Sequence, residues 1–514
     1  MSTFATQPYA TPYATLAELL QSGDANAAAI GAPDRKTMTR GELWRLANQA
    51  GGALRQMGVM PGDNVAIVMP NGPEMAAAFV AVACSACAAP LNPAYRADEF
   101  DFYLGDIDAK ALIIQAGPDA PARAIAAQRK IPVIDLTPRA DGPAGDFTLS
   151  VPFADAGPAQ PKAEDAALVL HTSGTTSRPK IVPLTHRNLS ASARNIARTL
   201  ALTPQDRCLV IMPLFHIHGL VGALLSSLSA GASVHCPAGF NALKFFDQLD
   251  QVQATWYTAV PTMHQMILSR ADRNAEILAR RKLRFIRSSS ASLPPQVMKS
   301  LEQAFGCPVI ESYGMTEASH QMASNPLPPA PRKPGSVGIA AGPEVAIMDP
   351  DGQLLPRGET GEIVIRGENV TLGYANNPKA NAEAFTNGWF RTGDQGVMDA
   401  EGYLAITGRL KEIINRGGEK IAPREVDDVI MDHPAVAQVV TFAMPHDKLG
   451  EEVAAAVVLK EGQNVSEAEL RAFIGGRLAD FKVPRKILFL PEIPKGATGK
   501  LQRIGLAQKL GLAS

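Results

Sequence analysis

Ala167-Leu-Val-Leu-His-Thr-Ser-Gly-Thr-Thr-Ser-Arg-Pro-Lys180 begins as an apolar strand and passes into a loop of hydroxyl side chains, one glycine and a terminal lysine. Such a loop supplies hydrogen-bond donors and positive charge, and its backbone can approach the oxygens of a polyphosphate closely. The Gly-x-x-x-x-Gly-Lys-[Ser/Thr] spacing of a Walker loop is absent, which disfavours a switch or motor nucleotidase. Alone, the same composition also describes an ordinary turn. The flanks decide the architecture. Beyond Lys180 a second extended run leads to a helix opening at Thr185, with Leu189, Ala193, Ile196 and Leu200 on one face. Upstream, Val65 to Met69 reads as a strand, Pro70 to Gly72 as a turn, and Pro73 as the first helical residue, a position proline favours. The alternation continues to about residue 400 and predicts an α/β fold.

From about Arg332 to Tyr403 the pattern changes to short strands separated by Asp351-Gly352, Arg357-Gly358 and Glu401-Gly402, which predicts a β-rich subdomain. After Arg409 it changes again. A helix from Pro423 to Asp432, strands near Val436 to Ala443 and Val453 to Leu459, and a helix with Ser466 and Glu469 as capping box make a small α+β unit. The expected organisation is a large N-terminal domain, 1–409, of α/β layers plus the β-rich subdomain, followed by a small mobile C-terminal domain, 410–514.

The chain has 514 residues, 49 Lys+Arg against 50 Asp+Glu, and a formal charge of −1. That balance argues against nucleic-acid or polybasic membrane binding, because both need a positive excess. Apolar residues at 46% and charged residues at 19% fit a well-packed globular protein. Five cysteines form no disulfide framework and point to a reducing compartment. Cys84 and Cys87, in the Ala-rich run Met75 to Ala89, read as small buried helix residues because His, charge and a second Cys pair are missing nearby. No run reaches the roughly 18–20 apolar residues of a membrane span. The first residues lack a basic segment followed by an apolar one, and the final Gly-Leu-Ala-Ser is no peroxisomal address. A cytoplasmic protein is expected.

Further motifs follow the first loop: Tyr313-Gly-Met-Thr-Glu317, Thr392-Gly-Asp394, Gly408-Arg-Leu-Lys-Glu-Ile-Ile-Asn-Arg-Gly-Gly418 and Pro494-Lys-Gly-Ala-Thr-Gly-Lys500. In order and approximate spacing the set resembles the adenylate-forming superfamily of acyl-CoA synthetases, adenylation domains and luciferases, over nearly the whole chain. Ser177 and Ile181 depart from it, standing where that family often has glycine. Backbone freedom there is reduced, but no charge or essential donor is lost.

The resemblance implies ATP, Mg²⁺ and coenzyme A as cofactors, and a role for each matching residue. Thr172, Ser173, Gly174, Thr175, Thr176 and Lys180 would cradle phosphates. Lys500 would reach over from the small domain to the charge that grows on the phosphoryl oxygens, Thr316 would bind the α-phosphate, and Glu317 would hold Mg²⁺. Tyr313 would pack on adenine, and Asp394 would accept from the ribose hydroxyls with Arg409 beside it. Ser290, Ala291, Ser312, Gly314, Met315 and Ile406 complete the implied nucleotide site. For the second step, relatives rotate the small domain about a hinge that Lys411 matches. Lys500 then leaves and Arg416, Gly417 and Gly418 enter, their glycines leaving room for a pantetheine arm.

Pro213-Leu-Phe-His-Ile-His-Gly219 carries two histidines without the partners a metal site needs. The resemblance puts His216 beside the substrate carboxylate; His218 fits either the pocket or the core. Arg287-Ser-Ser-Ser-Ala-Ser292 and the residues after Glu317 should wall the acid pocket. A fatty-acid pocket would want glycine and apolar side chains there, whereas Ser289, Ser290 and His320 suit a small polar acid whose second carboxylate needs donors. The alternative is that the serines face adenine. Together with Thr255-Trp-Tyr-Thr-Ala-Val-Pro261, Phe285-Ile-Arg-Ser-Ser-Ser-Ala-Ser292 and Ser177, these stretches look most like the oxalate:CoA ligase branch. Malonate:CoA ligases share a similar Phe-His-x-His-Gly segment, and longer or aryl acids stand behind them. An enzyme loading a separate carrier protein would be a different class, but no Gly-Gly-x-Ser carrier signature follows the small domain. A luciferase-like oxygenase would share the nucleotide residues and differ in oxygen uptake.

Overall fold

The computed structural model describes residues 13–117, 120–154, 160–172, 179–494 and 503–513. Strand Asn64–Val68 and helix Pro73–Ala83 lie where the sequence places them, with Pro73 opening the helix. Every residue of that helix except Glu74 is buried, as an all-round apolar helix between layers must be. The segment Met75 to Ala89 is nevertheless not one helix. It ends at Ala83, and Cys87 begins the strand Cys87–Pro90, where Pro90 is accommodated at the strand's end. Both thiols are buried and free, and burial pushes that of Cys84 up to about 12, so neither is a reactive thiolate.

Two large sheets sandwich this helix layer. The first runs Phe147–Leu149, Val133–Pro138, Ala111–Gln115, Asn64–Val68, Cys87–Pro90, Ala166–Thr172, Lys180–Thr185 and is parallel except at its outermost pairs. The second has nine strands, in the order Ile339–Ala340, His320–Ser324, Val309–Met315, Phe285–Ser288, Trp256–Ala259, Arg207–Leu209, Ser233–His235, Ala28–Ala32, Arg35–Thr39. Its six strands from Val309–Met315 to Ala28–Ala32 are parallel. Phe79 and Val80 share one core with Val65, Leu189, Ile196 and Val234, which ties the two sheets together. Helix His186–Thr199 is capped by Thr185, whose hydroxyl accepts from the Asn188 N–H while the Asn188 side chain accepts from the Thr185 N–H.

A third, antiparallel sheet contains Glu344–Met348, Thr360–Arg366, Phe385–Thr386, Trp389–Met398 and Leu404–Arg409. Gly352, Gly358 and Gly402, the turn glycines read from sequence, all have positive φ. A fourth sheet joins Glu419–Ile421, Ile414–Arg416, Gly450–Leu459, Val436–His446 and Lys486–Phe489. Helices Pro423–Met431 and Glu467–Gly475 accompany it, the second with the capping box expected of Ser466 and Glu469. Val426, Ile430, Val453, Leu470 and Ile474 give this C-terminal unit a core of its own. Among the described residues no helix is long and apolar enough to cross a membrane.

Candidate active site

Ligand sites of parallel α/β sheets form outside the carboxyl ends of the strands, where loops of independent sequence converge. Four neighbouring strands of the nine-stranded sheet do this here. After Phe285–Ser288 come Ser289, Ser290 and Ala291; Val309–Met315 carries Ser312, Tyr313, Gly314 and Met315 into a turn at Thr316–Ala318. Trp256–Ala259 brings Thr258 to its end. Beyond Arg207–Leu209 the chain runs through a half-buried His216 into a π-helix, His218–Leu225, a geometry that recurs at functional sites.

Asp394 ties together residues expected at the nucleotide. Its backbone N–H donates to the Thr392 hydroxyl at 3.1 Å, which fixes the Thr-Gly-Asp turn. Tyr313 Oη donates to Asp394 Oδ2 at 2.5 Å and Arg409 Nε to Oδ1 at 2.8 Å. Each carboxylate oxygen keeps a further lone pair, so the group can still accept from a diol. Ile406 is half-buried on the same strand as Arg409. Gly314 must be glycine: the strand pairing shifts there, and a Cβ would lie 1.6 Å from the His320 carbonyl oxygen.

Glu317 is 6% exposed, and its Oε1 accepts from Tyr374 Oη at 2.9 Å. Burial raises its pKa, against the opposing hydrogen bond from Tyr374 and the positive charges of Lys180 and Arg409. Lys180 Nζ sits 4.4 Å from the Tyr374 ring centroid. A desolvated carboxylate without an ion pair among the described residues suits a hard cation, and Mg²⁺ characteristically takes one or two carboxylates plus substrate phosphates. Thr172 and Lys180 pair across the base of the phosphate loop. Ser173, Gly174, Thr175, Thr176 and Ser177 lie outside the described residues, as does Lys500. Ile181, the second departure from the family pattern, is a buried strand residue opposite His171.

The residues expected at the acid bring three basic side chains, His218, His320 and Arg287, together beside Ser290. His218 is fixed at both nitrogens, Nδ1 to Ser290 Oγ at 3.0 Å and Nε2 to Thr258 Oγ1 at 2.6 Å, and its ring lies 4.9 Å from that of His320. His218 is 2% exposed, so these two bonds hold it as a buried strut. Ser290, Ser319 and His320 all have positive φ, an uncommon backbone for non-glycine residues that tends to persist at functional sites. The hydroxyl of Ser289, also expected in the wall, donates to the Ser312 carbonyl at 3.0 Å, so its proton is committed between adjacent strands. Arg287 is fully buried, with Nη2 3.0 Å from Gln321 Oε1 and 3.4 Å from His320 Nδ1.

In the C-terminal unit, Arg416 Nε donates to Glu452 Oε1 at 2.6 Å, and Gly417 and Gly418, both at positive φ, form the exposed turn of the hairpin Ile414–Arg416/Glu419–Ile421. Lys411 is exposed in a single turn, Leu410–Glu412. Helix Pro423–Met431 reaches the N-terminal unit, where Arg424 Nη2 bonds Ser292 Oγ.

Tyr374 is absent from the sequence reading, and Thr258 and Arg287 appear in it only inside the stretches 255–261 and 287–292, with no role of their own. Tyr374 stands in no motif, and only folding brings it to Glu317 and Thr258 to His218. Arg287 did carry a signal, a charged residue directly after the apolar pair Phe285-Ile286 of a strand.

Residues 20–375 match the AMP-binding enzyme family and residues 425–500 its C-terminal domain. The oxalate–CoA ligase of Arabidopsis thaliana is 48% identical over 490 residues, 93% of this chain and 95% of that protein. That of Saccharomyces cerevisiae is 44% identical over 88% of each chain, and a sulfoacetate–CoA ligase of Cupriavidus necator 38% identical over 91% and 92%. Among solved structures, ATP-bound MatB from Rhodopseudomonas palustris superposes with a TM-score of 0.86 at 31% identity, covering 96% of this chain and 98% of that one.

Proposed function

The chain belongs to the AMP-binding enzyme family, and from that membership we propose that it is an ATP-dependent ligase joining a small carboxylic acid, oxalate by preference, to coenzyme A. A free carboxylate is a poor acyl donor because its leaving group would be oxide. In the first half-reaction a carboxylate oxygen attacks the α-phosphorus of ATP, the bond to pyrophosphate breaks, and an acyl adenylate forms. In the second, the thiol of coenzyme A loses its proton and attacks the acyl carbon, and AMP leaves. The first step builds charge on phosphoryl oxygens, and preorganised cations there lower the barrier.

In this reading Tyr313 flanks adenine, Asp394 and Arg409 hold the ribose, Thr316 and Lys180 bind phosphate, and Lys500 meets the developing charge. Glu317 holds Mg²⁺, which when bound neutralises phosphate charge. His216 stands beside the reacting carboxylate. We place the domain boundary at Leu410 and the pivot at Lys411, so that Arg416, Gly417 and Gly418 replace Lys500 for the second step. Five free, buried cysteines suit a cytoplasmic setting, and the near-neutral charge suits small-molecule partners, with neither nucleic acid nor carrier protein required.

The choice of acid is supported by the polar and basic character of His218, Ser290 and His320, which offers an alkyl chain little apolar surface to bury against. Oxalate and sulfoacetate, the acids in the names of the relatives, each carry a second acidic group. The test is CoA-dependent AMP release across a panel of acids, with oxalate expected best, malonate second and acids beyond about four carbons poor. Faster turnover of hexanoate or a cinnamate would overturn the acid while leaving the adenylate chemistry in place.

A further inference from the structure

Arg287 has no accessible surface, and among the described residues no carboxylate lies within ion-pair distance of it. Its neighbours are neutral. Nη2 donates to Gln321 Oε1, whose amide nitrogen is already committed to Thr199 Oγ1 at 3.1 Å and the Ala341 carbonyl at 2.9 Å. Nη1 lies 3.5 Å from the Gly222 carbonyl, and Nε has no hydrogen-bond partner. The nearby Cys208 thiol is held protonated by burial. Burial likewise draws the Arg287 pKa down to about 9, which still leaves the side chain charged at neutral pH. An uncompensated buried cation is costly to any fold and is ordinarily retained only where something neutralises it.

The remaining neighbour is His320. A guanidinium has donors and no acceptor, so the 3.4 Å approach of Arg287 Nη2 to His320 Nδ1 requires a lone pair on Nδ1. The imidazole is therefore neutral, with its proton on Nε2. That nitrogen is on the far edge of the ring, toward Gly222 of the π-helix, where a Cβ would come within 2.9 Å of it. A protonated imidazole would instead set two cations in contact without water between them.

We propose that Arg287 is the positioning residue that determines charge specificity: it holds His320 as the Nε2–H donor and makes the acid site select substrates bringing a second negative charge. The inference rests on the acid-ligase reading and deepens it, defining the substrate class as small dianionic acids. The distal anionic group accepts from His320 and offsets the Arg287 charge through the ring. A neutral group of the same size accepts the same hydrogen bond but leaves the cation uncompensated.

Oxalate and oxamate separate the two effects, because oxamate is a nearly isosteric monoanion. The full-length protein and its Arg287→Met and Arg287→Lys forms are assayed for kcat/KM with each acid, with the KM for ATP as a reference. In Arg287→Met, oxalate is expected to fall ~100-fold and oxamate less than ~3-fold, with Arg287→Lys recovering at least ~10-fold of the oxalate loss and ATP unaffected. Equal losses for the two acids, or a lysine form no better than the methionine form, would overturn the proposal. The unmodified protein gives a measurement that does not depend on a variant folding. In the presence of AMP, oxalate should raise its melting temperature and oxamate at the same concentration should not; equal shifts would overturn the proposal too. A natural protein that fails to turn over oxalate overturns the choice of acid, whereas one that uses oxalate but fails the comparison overturns only the role of Arg287.

Discussion

Arg409 and Asp394 face each other across the paired strands Leu404–Arg409 and Trp389–Met398, joined by a 2.8 Å bond from Nε to Oδ1. Three residues on, Glu412 Oε2 accepts from Arg503 Nε at 3.1 Å, and Arg503 also holds Asp427 and the Thr441 carbonyl. The chain is thus anchored to the third sheet at Arg409 and to the C-terminal unit at Glu412, with exposed Leu410 and Lys411 between the anchors. A rotation of the C-terminal unit that keeps both anchors would have to be taken up at those two residues.

Lys411→Pro fixes φ at that pivot. Adenylation, followed by acid-dependent pyrophosphate exchange, should stay within ~3-fold, while thioester formation from a supplied acyl adenylate falls ~10- to 100-fold. Equal effects on both half-reactions would place the pivot elsewhere.

Asp394→Ala deletes the acceptor proposed for the ribose hydroxyls and releases Tyr313 and Arg409. Loss of charge-assisted hydrogen bonds should weaken ATP binding by ~1.5–3 kcal/mol. Calorimetric titration of the folded variant checks this, and an unchanged dissociation constant would remove Asp394 from the nucleotide site.

Lys500→Ala separates the half-reactions in the opposite sense to Lys411→Pro. Adenylation should be lost, and thioester formation from preformed adenylate retained within ~3-fold, because the cation is needed only while pyrophosphate departs. Rapid-quench measurement of each half-reaction distinguishes this from a general loss of activity.

The parts legible in the sequence are those whose signal is local. Pro73 opens its helix, Ser466 and Glu469 cap theirs, and the Asp-Gly and Arg-Gly turns fall where the glycines require positive φ. The helix ending at Ala83 was less legible, since an alanine-rich run carries no stop signal and the neighbouring parallel strand Asn64–Val68 captures Cys87. The acid site was half legible for a similar reason. Ser289 and Ser290 are adjacent and identical in type, and only the pairing of Phe285–Ser288 with Val309–Met315 sends the first hydroxyl to a backbone carbonyl and the second to His218. The Arg287–His320 contact joins residues whose neighbourhood exists only in the folded sheet.

Glu311 offers a test of the contact between the two units. It is buried at the end of helix Pro423–Met431's approach, its Oε1 accepts from the Leu293 N–H at 3.0 Å, and burial raises its pKa to about 7 against the pull of Arg424, with Asp428 also nearby. A folded-state pKa above the unfolded value of ~4.3 means that its contribution is complete below that pH and lost as pH rises through about 7. Relative to Glu311→Gln, the natural protein should therefore lose ~2–3 kcal/mol of stability between pH 5 and pH 8. Denaturant melts of both proteins at the two pH values measure the difference, and parallel changes would mean that Glu311 is ionised throughout.

Gly222→Ala probes the space that His320 needs. Gly222 lies one helical turn past His218, and a methyl there would stand 2.9 Å from His320 Nε2 and 3.1 Å from Arg287 Nη1, closer than either neighbour tolerates. His320 cannot retreat toward Arg287, which is itself wedged against Gln321. The ring must therefore turn, taking its Nε2–H out of line with the distal group of the acid. Overpacking of this kind typically costs ~1–3 kcal/mol, and if it falls on the acid-bound state kcat/KM for oxalate drops ~10- to 100-fold. The nucleotide residues Asp394, Tyr313 and Arg409 make none of these contacts, so the KM for ATP should stay within ~2-fold. Wild-type activity toward oxalate in a folded Gly222→Ala protein would show that the acid does not approach His320 from the π-helix side.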